Sequence, residues 1–188
     1  MKTRNFLTVA FFAFTLFGTT VTFAQKEKTV TVGGAPMYPS KNIIENAINS
    51  KDHTTLVAAV KAADLVETLQ GKGPFTVFAP TNEAFNNLPK GTVETLLKPE
   101  NKKLLQTILT YHVVAGKMNA SDIAKAIKAS GGKATIKTVS GGTLTAWMKG
   151  SAVYLTDENG KSAQVTIADV NQSNGVIHVI DAVVTPKS

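Results

Sequence analysis

The residues that could carry chemistry in this chain are few and lie far apart. Histidine occurs at positions 53, 112 and 178, and there is no cysteine. A metal site needs three or four convergent ligands, and no second His or Cys stands at ligand spacing from these positions. The run Asp157-Glu158-Asn159-Gly160 lacks the alternating oxygen ligands and closing Glu of a calcium loop, so a hairpin turn explains it better. The sequence predicts no metal and no cofactor.

Motifs of nucleophilic and phosphate chemistry are also absent from the sequence. It contains no GxSxG elbow, no HExxH helix, no P-loop and no dinucleotide fingerprint. No nucleophile is paired with a base at recognisable spacing, whereas several convergent titratable groups are the usual mark of an active site. We therefore expect a protein that is not an enzyme.

One histidine stands in a strongly apolar run. His178 interrupts residues 176–180, which are apolar on both faces and so predict a central strand. A buried imidazole needs a hydrogen-bond partner. It is either a metal or cofactor ligand, or a core histidine that bonds the chain around Thr81 and Asn82, and the lack of further ligands favours the core role. Asp181 is expected to satisfy backbone groups at the strand end rather than to act as an acid or base.

Apolar residues recur at helical spacing through the first half of the chain. The pattern over residues 43–69 predicts two or three short amphipathic helices. The β-rich run Phe75–Ala79 then ends at Pro80, which stops a strand, and Thr81 or Asn82 is a suitable N-cap for the next helix. Later helices are predicted over residues 92–97, 104–109 and 119–130.

The apolar period changes to two in the second half of the chain. Apolar and polar residues alternate over residues 143–148, 153–155 and 165–167, and turn residues such as Gly141-Gly142 separate these runs. A strand from the helical first half must join the sheet that these hairpins form. The fold class predicted is α+β.

The N-terminus has the plan of a secretory signal peptide. Lys2 and Arg4 precede the apolar run Phe6–Phe17 and a small-residue exit that ends at Ala24. Because the apolar run is short for a membrane span, cleavage after Ala24 is favoured over a retained anchor. Residues 1–24 are therefore predicted to be a signal peptide, 25–41 a flexible N-terminal arm and 42–188 a single domain. We expect a secreted or periplasmic protein that is not integral to the membrane after cleavage.

The charge balance of the mature chain is mildly basic. The chain has 20 Lys and Arg against 13 Asp and Glu, and the signal peptide accounts for two of the cations. Such a surface favours anionic polymers or membrane faces. Nucleic acid is not expected, since basic residues are not interleaved with aromatics along the sequence. The partners predicted are an extracellular or envelope protein or an anionic polysaccharide, with self-association as a further option.

Two strings far apart in the sequence are family signatures. They are TVFAPTNEAF, Thr76–Phe85, and NGVIHVIDAVVTP, Asn174–Pro186, with TYHVVAGK, Thr110–Lys117, between them. Together they resemble the two boxes and the Tyr-His element of the fasciclin (FAS1) family. The resemblance implies a wedge-shaped β-sandwich of about seven strands with several short helices packed alongside. The signature residues that carry it are Thr76, Phe78, Pro80, Thr81, Asn82, Phe85, Asn174, Gly175, His178 and Asp181.

The resemblance also implies a function. The Tyr-His region of the family is associated with cell adhesion, which makes Tyr111, His112, Val113 and Val114 the candidate contact residues. Packing is the favoured explanation of the tyrosine, which buries a large ring and anchors its hydroxyl. A secreted, non-catalytic adhesion or extracellular interaction module is the function implied. The alternative is a carrier of a small apolar ligand such as a pigment or lipid.

Overall fold

The computed structural model describes residues 27–187, so the predicted signal peptide lies outside the described residues. The α-helices in this range are Ile43–Ala47 (α1), Thr54–Ala62 (α2), Val66–Gln70 (α3), Asn82–Asn86 (α4), Thr92–Leu96 (α5), Lys102–Tyr111 (α6) and Ala120–Ala129 (α7). The strands are Val30–Val32 (β1), Ala35–Met37 (β2), Phe75–Pro80 (β3), Val113–Ala115 (β4), Lys133–Lys137 (β5), Thr143–Lys149 (β6), Ala152–Thr156 (β7), Ser162–Gln172 (β8) and Gly175–Ile180 (β9). Among these residues no helix has the length and apolar character needed to cross a bilayer.

Seven of the strands form one mixed sheet in the order β4-β3-β9-β8-β7-β6-β5. Strands β3 and β9 pair in parallel, and the other neighbours in this sheet are antiparallel. In the parallel pair Thr76 lies opposite Val176 and Phe78 lies opposite His178, so the two signature boxes are neighbours. The predicted α+β class is confirmed, and the strand count of the main sheet matches the resemblance.

The central strands β3 and β9 separate two cores. Because successive strand residues point to opposite faces, Val77 and Ile177 pack towards α1, α2, α3 and α6, while Phe78 and Ile180 pack towards α7 and strands β5–β8. All six residues of β9 are buried. The continuous apolar run of the second box predicted this double burial.

The chain turns from sheet to helix at the end of the first box. Thr81 is the N-cap of α4, and its hydroxyl accepts a hydrogen bond from Ala84 N at 3.2 Å. Asn82 has another role, since its Oδ1 accepts from Thr55 N at 2.9 Å and its Nδ2 donates to Lys51 O at 2.8 Å. The amide of Asn82 thus joins the start of α4 to the start of α2.

Within the described residues 27–41, the structure differs from the flexible arm predicted over residues 25–41. Strands β1 and β2 form an antiparallel hairpin, and its residues Val32 and Met37 are buried in the helical-side core. The buried amide of Asn46 holds the chain after the hairpin, because Oδ1 accepts from Tyr38 N and Nδ2 donates to Tyr38 O. Two strands of three residues are too short to show a period in the sequence, which is why the hairpin was not predicted.

Candidate functional site

The Tyr-His element lies in the core. Tyr111 ends α6, His112 follows it, and Val113 and Val114 begin β4. The side chains are 0%, 3%, 6% and 5% exposed, respectively. The four candidate adhesion residues therefore present almost no surface to a partner in this fold, and what they do is set by what they pack against.

Tyr111 joins two loops to the end of α6. Its hydroxyl donates to Thr143 O at 2.5 Å and accepts from Glu158 N at 3.3 Å. Its ring lies against Gly142, where an added Cβ would come within 2.8 Å of Cε2. Burial raises the pKa of Tyr111 to about 12, so the phenol remains protonated and keeps its donor. This tyrosine positions the turn before β6 and the turn after β7.

His112 is held as a neutral ring with a fixed tautomer. Nδ1 lies 2.8 Å from Ile108 O, which can only accept, so Nδ1 carries the proton. Nε2 then accepts from Val184 N at 3.3 Å. Burial lowers the pKa of His112 to about 4. Both ring nitrogens are engaged, which leaves neither free to act as a general base.

His178 is a core histidine with satisfied partners. Nε2 donates to Met118 O at 2.8 Å, Nδ1 accepts from Asp169 N at 3.3 Å, and the ring stacks on Phe78 with centroids 5.7 Å apart. Burial lowers its pKa. The prediction that His178 bonds the chain around Thr81 and Asn82 is wrong. The parallel register places His178 beside Phe78, whereas Thr81 and Asn82 follow the end of β3.

Thr76 holds the same loop that His178 contacts. Its hydroxyl donates to Gly116 O at 2.7 Å and accepts from Met118 N at 2.8 Å. Thr76 is fully buried. One residue from each signature box therefore fixes the segment between β4 and α7.

The second box begins with a residue that links three elements. Asn174 accepts from Ile43 N at 3.0 Å through Oδ1, and its Nδ2 donates to Leu69 O and Gly71 O, each at 2.8 Å. Gly175 follows, and an added Cβ there would lie 2.1 Å from a backbone oxygen of β3. Asn174 and Gly175 therefore set the close approach of β9 to β3 and to the helical layer.

The remaining signature residues also act within the fold. Asp181 Oδ1 accepts from Gln164 N at 2.7 Å, the backbone role that the sequence indicated. Phe85 on α4 packs with Ala84 and Val183 in a small core cluster of its own. Pro80 closes β3 opposite Ile180. All of these contacts position backbone rather than a reacting group.

The acidic turn after β7 is a structural turn. Asp157 Oδ1 accepts from Asn159 N at 3.0 Å and Lys161 N at 2.9 Å, and Oδ2 accepts from Thr185 N at 2.9 Å. Its carboxylate is thus satisfied by backbone amides. Within residues 27–187, no group of three or more His, Asp or Glu side chains is placed to hold a metal ion.

An apolar cavity of about 90 Å³ lies between the helices and the sheet. Pockets that enclose drug-sized ligands are larger, roughly 300 to 1,000 Å³. At this volume the cavity suits a small apolar molecule. Its lining includes Ile44, Val57, Val60, Leu69, Val77 and Ile177.

The outward-facing residues of β5–β8 form a second feature, which we call the outer sheet face. Cross-strand register places Lys133, Trp147, Tyr154 and Gln164 in one row. The inward residues that alternate with them, such as Leu144, are buried. The full face consists of Lys133, Thr135, Lys137, Thr143, Thr145, Trp147, Lys149, Ala152, Tyr154, Thr156, Ser162 and Gln164.

Hydrogen bonds fix the aromatic pair on this face. The rings of Trp147 and Tyr154 stack with centroids 4.7 Å apart and an interplanar angle of 20°. Trp147 Nε1 donates to Thr156 Oγ1 at 2.9 Å, and the Tyr154 hydroxyl donates to Gln164 Oε1 at 3.0 Å. The side chains are therefore ordered before any partner arrives. The sequence did not predict this cluster, because its members come from separate strands and meet only through the register.

Comparison with known proteins identifies the family. The family model of the fasciclin domain matches residues 51–186. Protein sll1483 of Synechocystis is 48% identical over 184 residues, which cover 95% of each chain. Immunogenic protein MPB70 of Mycobacterium bovis is 34% identical over 145 residues, 74% of this chain and 66% of that protein.

A solved structure shares the fold. It is a FAS1 domain pair from the insect cell adhesion molecule fasciclin I, similar with a TM-score of 0.69 and 17% identity over 84% of this chain and 57% of that one. The parallel pairing of the two boxes, the family match and the shared fold agree. This chain belongs to the fasciclin (FAS1) domain family.

Proposed function

We propose that this chain is a secreted, non-catalytic fasciclin module that binds an extracellular partner through the outer sheet face. The observation that carries the proposal is the ordered pair of Trp147 and Tyr154, which stands on the outside of the sheet between lysines and hydroxyl side chains. Aromatic residues are enriched at protein binding sites because they bury a large area at little cost in conformational entropy. The Tyr-His element, by contrast, is buried and supports the turns at one end of this face.

The predicted signal peptide supports an extracellular setting for this role. The leader over residues 1–24 has the plan of a signal peptide, and the fold is shared with a domain pair of an insect cell adhesion molecule. The absence of cysteine means that the exported domain relies on packing and hydrogen bonds for its stability. We assign it no reaction: His112 and His178 are buried with both ring nitrogens bonded to backbone groups, and His53 is buried with Nδ1 2.8 Å from the Ser50 hydroxyl.

A binding assay tests the interaction role. The mature chain, residues 25–188, is immobilised and exposed to envelope material in three arms: protease-treated polysaccharide, polysaccharide-depleted protein, and the chain itself. Retention is expected in at least one arm, and Trp147→Ala should weaken it about tenfold, as for an aromatic hot spot. Thermal melting of the variant controls for folding. A complete lack of retention in all three arms would contradict the proposed function.

A second candidate, carriage of a small apolar ligand, is favoured by the apolar cavity. With a volume of about 90 Å³, the cavity suits a small apolar molecule better than the larger pigment or lipid of the sequence prediction. Native mass spectrometry of the protein purified from its own envelope, without detergent, decides between the two candidates. We expect the mass of the polypeptide alone. A stoichiometric added mass that organic solvent extracts would instead establish a carrier.

A further inference from the structure

We propose that the partner of the outer sheet face is an anionic polysaccharide, which crosses strands β5–β8 with a sugar ring against Trp147 and Tyr154 and its acidic groups beside Lys133, Lys137 and Lys149. The inference rests on the proposed function and adds the chemical class of the partner. It also assigns the surface that binds it. Four features of the face support it, namely charge, spacing, aromatic geometry and hydroxyl content.

The outer sheet face carries positive charge that no acid on the face neutralises. Lys133, Lys137 and Lys149 are exposed, and none of the face residues is Asp or Glu. Two carboxylates border it. Glu158 accepts from Thr143 N at 3.0 Å and Lys187 N at 3.0 Å, and Asp181 accepts from Gln164 N at the β8 side. The two ionised carboxylates are confined to the border, whereas the face itself carries three lysines and no acid, so the field over its centre favours anions.

The spacing of the lysines suits a polymer. Lys133 and Lys137 are four residues apart on β5, which corresponds to about 14 Å at the rise of an antiparallel strand. Lys149 lies on the neighbouring strand β6, two residues beyond Trp147 and on the same face. No single sugar spans these charges, whereas a chain with repeated acidic groups meets each of them in turn.

The aromatic pair supplies an apolar surface for a sugar ring. The electron-rich face of an aromatic ring attracts the weakly positive C–H groups on the flat side of a pyranose. Trp147 and Tyr154 are already oriented by their bonds to Thr156 and Gln164, so little side-chain entropy is lost on binding. Thr135, Thr145, Thr156 and Ser162 form the adjacent row and offer donors and acceptors to sugar hydroxyls.

The competing anionic polymer is single-stranded nucleic acid, which also uses lysines and aromatic side chains. Successive bases need separate stacking platforms. Here the two rings stack on each other at 4.7 Å, so they form one platform rather than two. The hydroxyl-rich row beside the pair is also better matched to a ligand made of hydroxyl groups. These observations favour a polysaccharide.

The first test measures binding of the mature chain to three polymers. Alginate, a polyuronate, is compared with neutral dextran and with oligo(dT) at low and moderate salt, by titration calorimetry. We expect alginate to bind at least about tenfold more tightly than either of the others, and its affinity to fall as salt screens the lysines. Tighter binding of oligo(dT) than of alginate, or equal binding of dextran, would overturn the proposal.

Matched variants then test the surface. Combined Lys133→Gln, Lys137→Gln and Lys149→Gln should weaken alginate binding at least about tenfold. The control is Lys72→Gln, Lys90→Gln and Lys103→Gln, which changes the net charge equally at exposed lysines off the face and should leave affinity within about twofold. Equal losses in the two triple variants would overturn the assignment of the face, since attraction would then depend on net charge alone.

Two single variants test the outer sheet face without changing several residues at once. Trp147→Ala removes the platform and should weaken alginate binding at moderate salt, where the lysines contribute least. Thr135→Glu places a carboxylate at an exposed position of the same face and needs no change in the core. Unchanged affinity in Thr135→Glu would contradict the proposal. Retention on envelope protein with no affinity for alginate would overturn the proposal of a polysaccharide partner but would be consistent with the proposed interaction module. No retention in any arm of the binding assay would contradict both proposals.

Discussion

Replacing Asn174 with Ala is expected to lower the free energy of unfolding by about 3 kcal/mol, because it leaves one amide and two carbonyls without their partners. The side chain of Asn174 is the acceptor for Ile43 N and the donor to Leu69 O and Gly71 O. The residue is 6% exposed, so water reaches these groups poorly. These hydrogen bonds join residues that are far apart in the sequence. Their loss therefore also weakens the packing of α1 and α3 against β9.

The matched control for this change lies on the same hairpin. The Nδ2 of Asn171 donates to Asp169 O, which is a bond within one strand, and the residue is only half-buried. Asn171→Ala should cost less than about 1 kcal/mol. Urea unfolding at pH 7, followed by circular dichroism, compares the two variants. An Asn174→Ala protein that is no less stable than Asn171→Ala would show that the three-way contact contributes little to the fold.

Acidification from neutral pH to about pH 4 is expected to destabilise the domain, with His112 contributing up to about 3 kcal/mol of the loss. Burial holds the pKa of His112 at about 4, below the usual value of 6.5. Well above pH 6.5 the ring is neutral in both states and adds no pH dependence. Between pH 6.5 and pH 4 the unfolded chain binds a proton that the folded chain excludes, so stability falls as the pH falls.

The hydrogen bonds of His112 explain why the folded state resists protonation. A proton on Nε2 would face the N–H of Val184, and the existing acceptor contact at 3.3 Å would be lost. Asp157 and the carbonyl of Ile108 favour the charged ring, but burial outweighs both. Protonation of the folded protein therefore costs both the Val184 contact and the burial of a charge, so the folded ring binds a proton only near pH 4.

The variant His112→Gln isolates this contribution. It should be less stable than the parent at neutral pH and lose less stability between pH 7 and about pH 4.5, since a glutamine does not titrate. Part of the pH dependence should remain, because burial also lowers the pKa of His53 and His178. Free energies of unfolding at the two pH values provide the measurement. The same pH dependence in parent and variant would exclude His112 as a source of acid sensitivity.

Several parts of the fold could be predicted because local residues decide them. The double burial of β9 follows from a run without polar alternation, broken only at His178. The end of β3 and the start of α4 follow from Pro80 and Thr81, whose backbone preferences act within a few residues. The turn at Asp157 is local in the same sense. The signature boxes added the family and, with it, the expected class of fold.

The roles of the Tyr-His residues and of His178 were harder to predict. The sequence around Tyr111 does not reveal whether its ring is buried or exposed. The ring is buried because Gly142 packs against it in the folded protein. His178 was expected to find a buried partner and does, but the partner is Met118 O on a distant loop. The parallel register of β3 and β9 determines which residues lie within reach, and register is a property of the whole sheet.

By itself the sequence determined the α+β class, the family, the lack of a recognisable catalytic or metal motif, and the need for a buried partner at His178. The tertiary structure alone decided that Val32 and Met37 join the core and that the Tyr-His element is inaccessible. It also brought Lys133, Trp147 and Tyr154 into one row. The physical reason is the distance along the chain over which each interaction acts. Capping, turns and periodicity act over a few residues, whereas cross-strand register and burial depend on contacts between residues that are far apart in the chain.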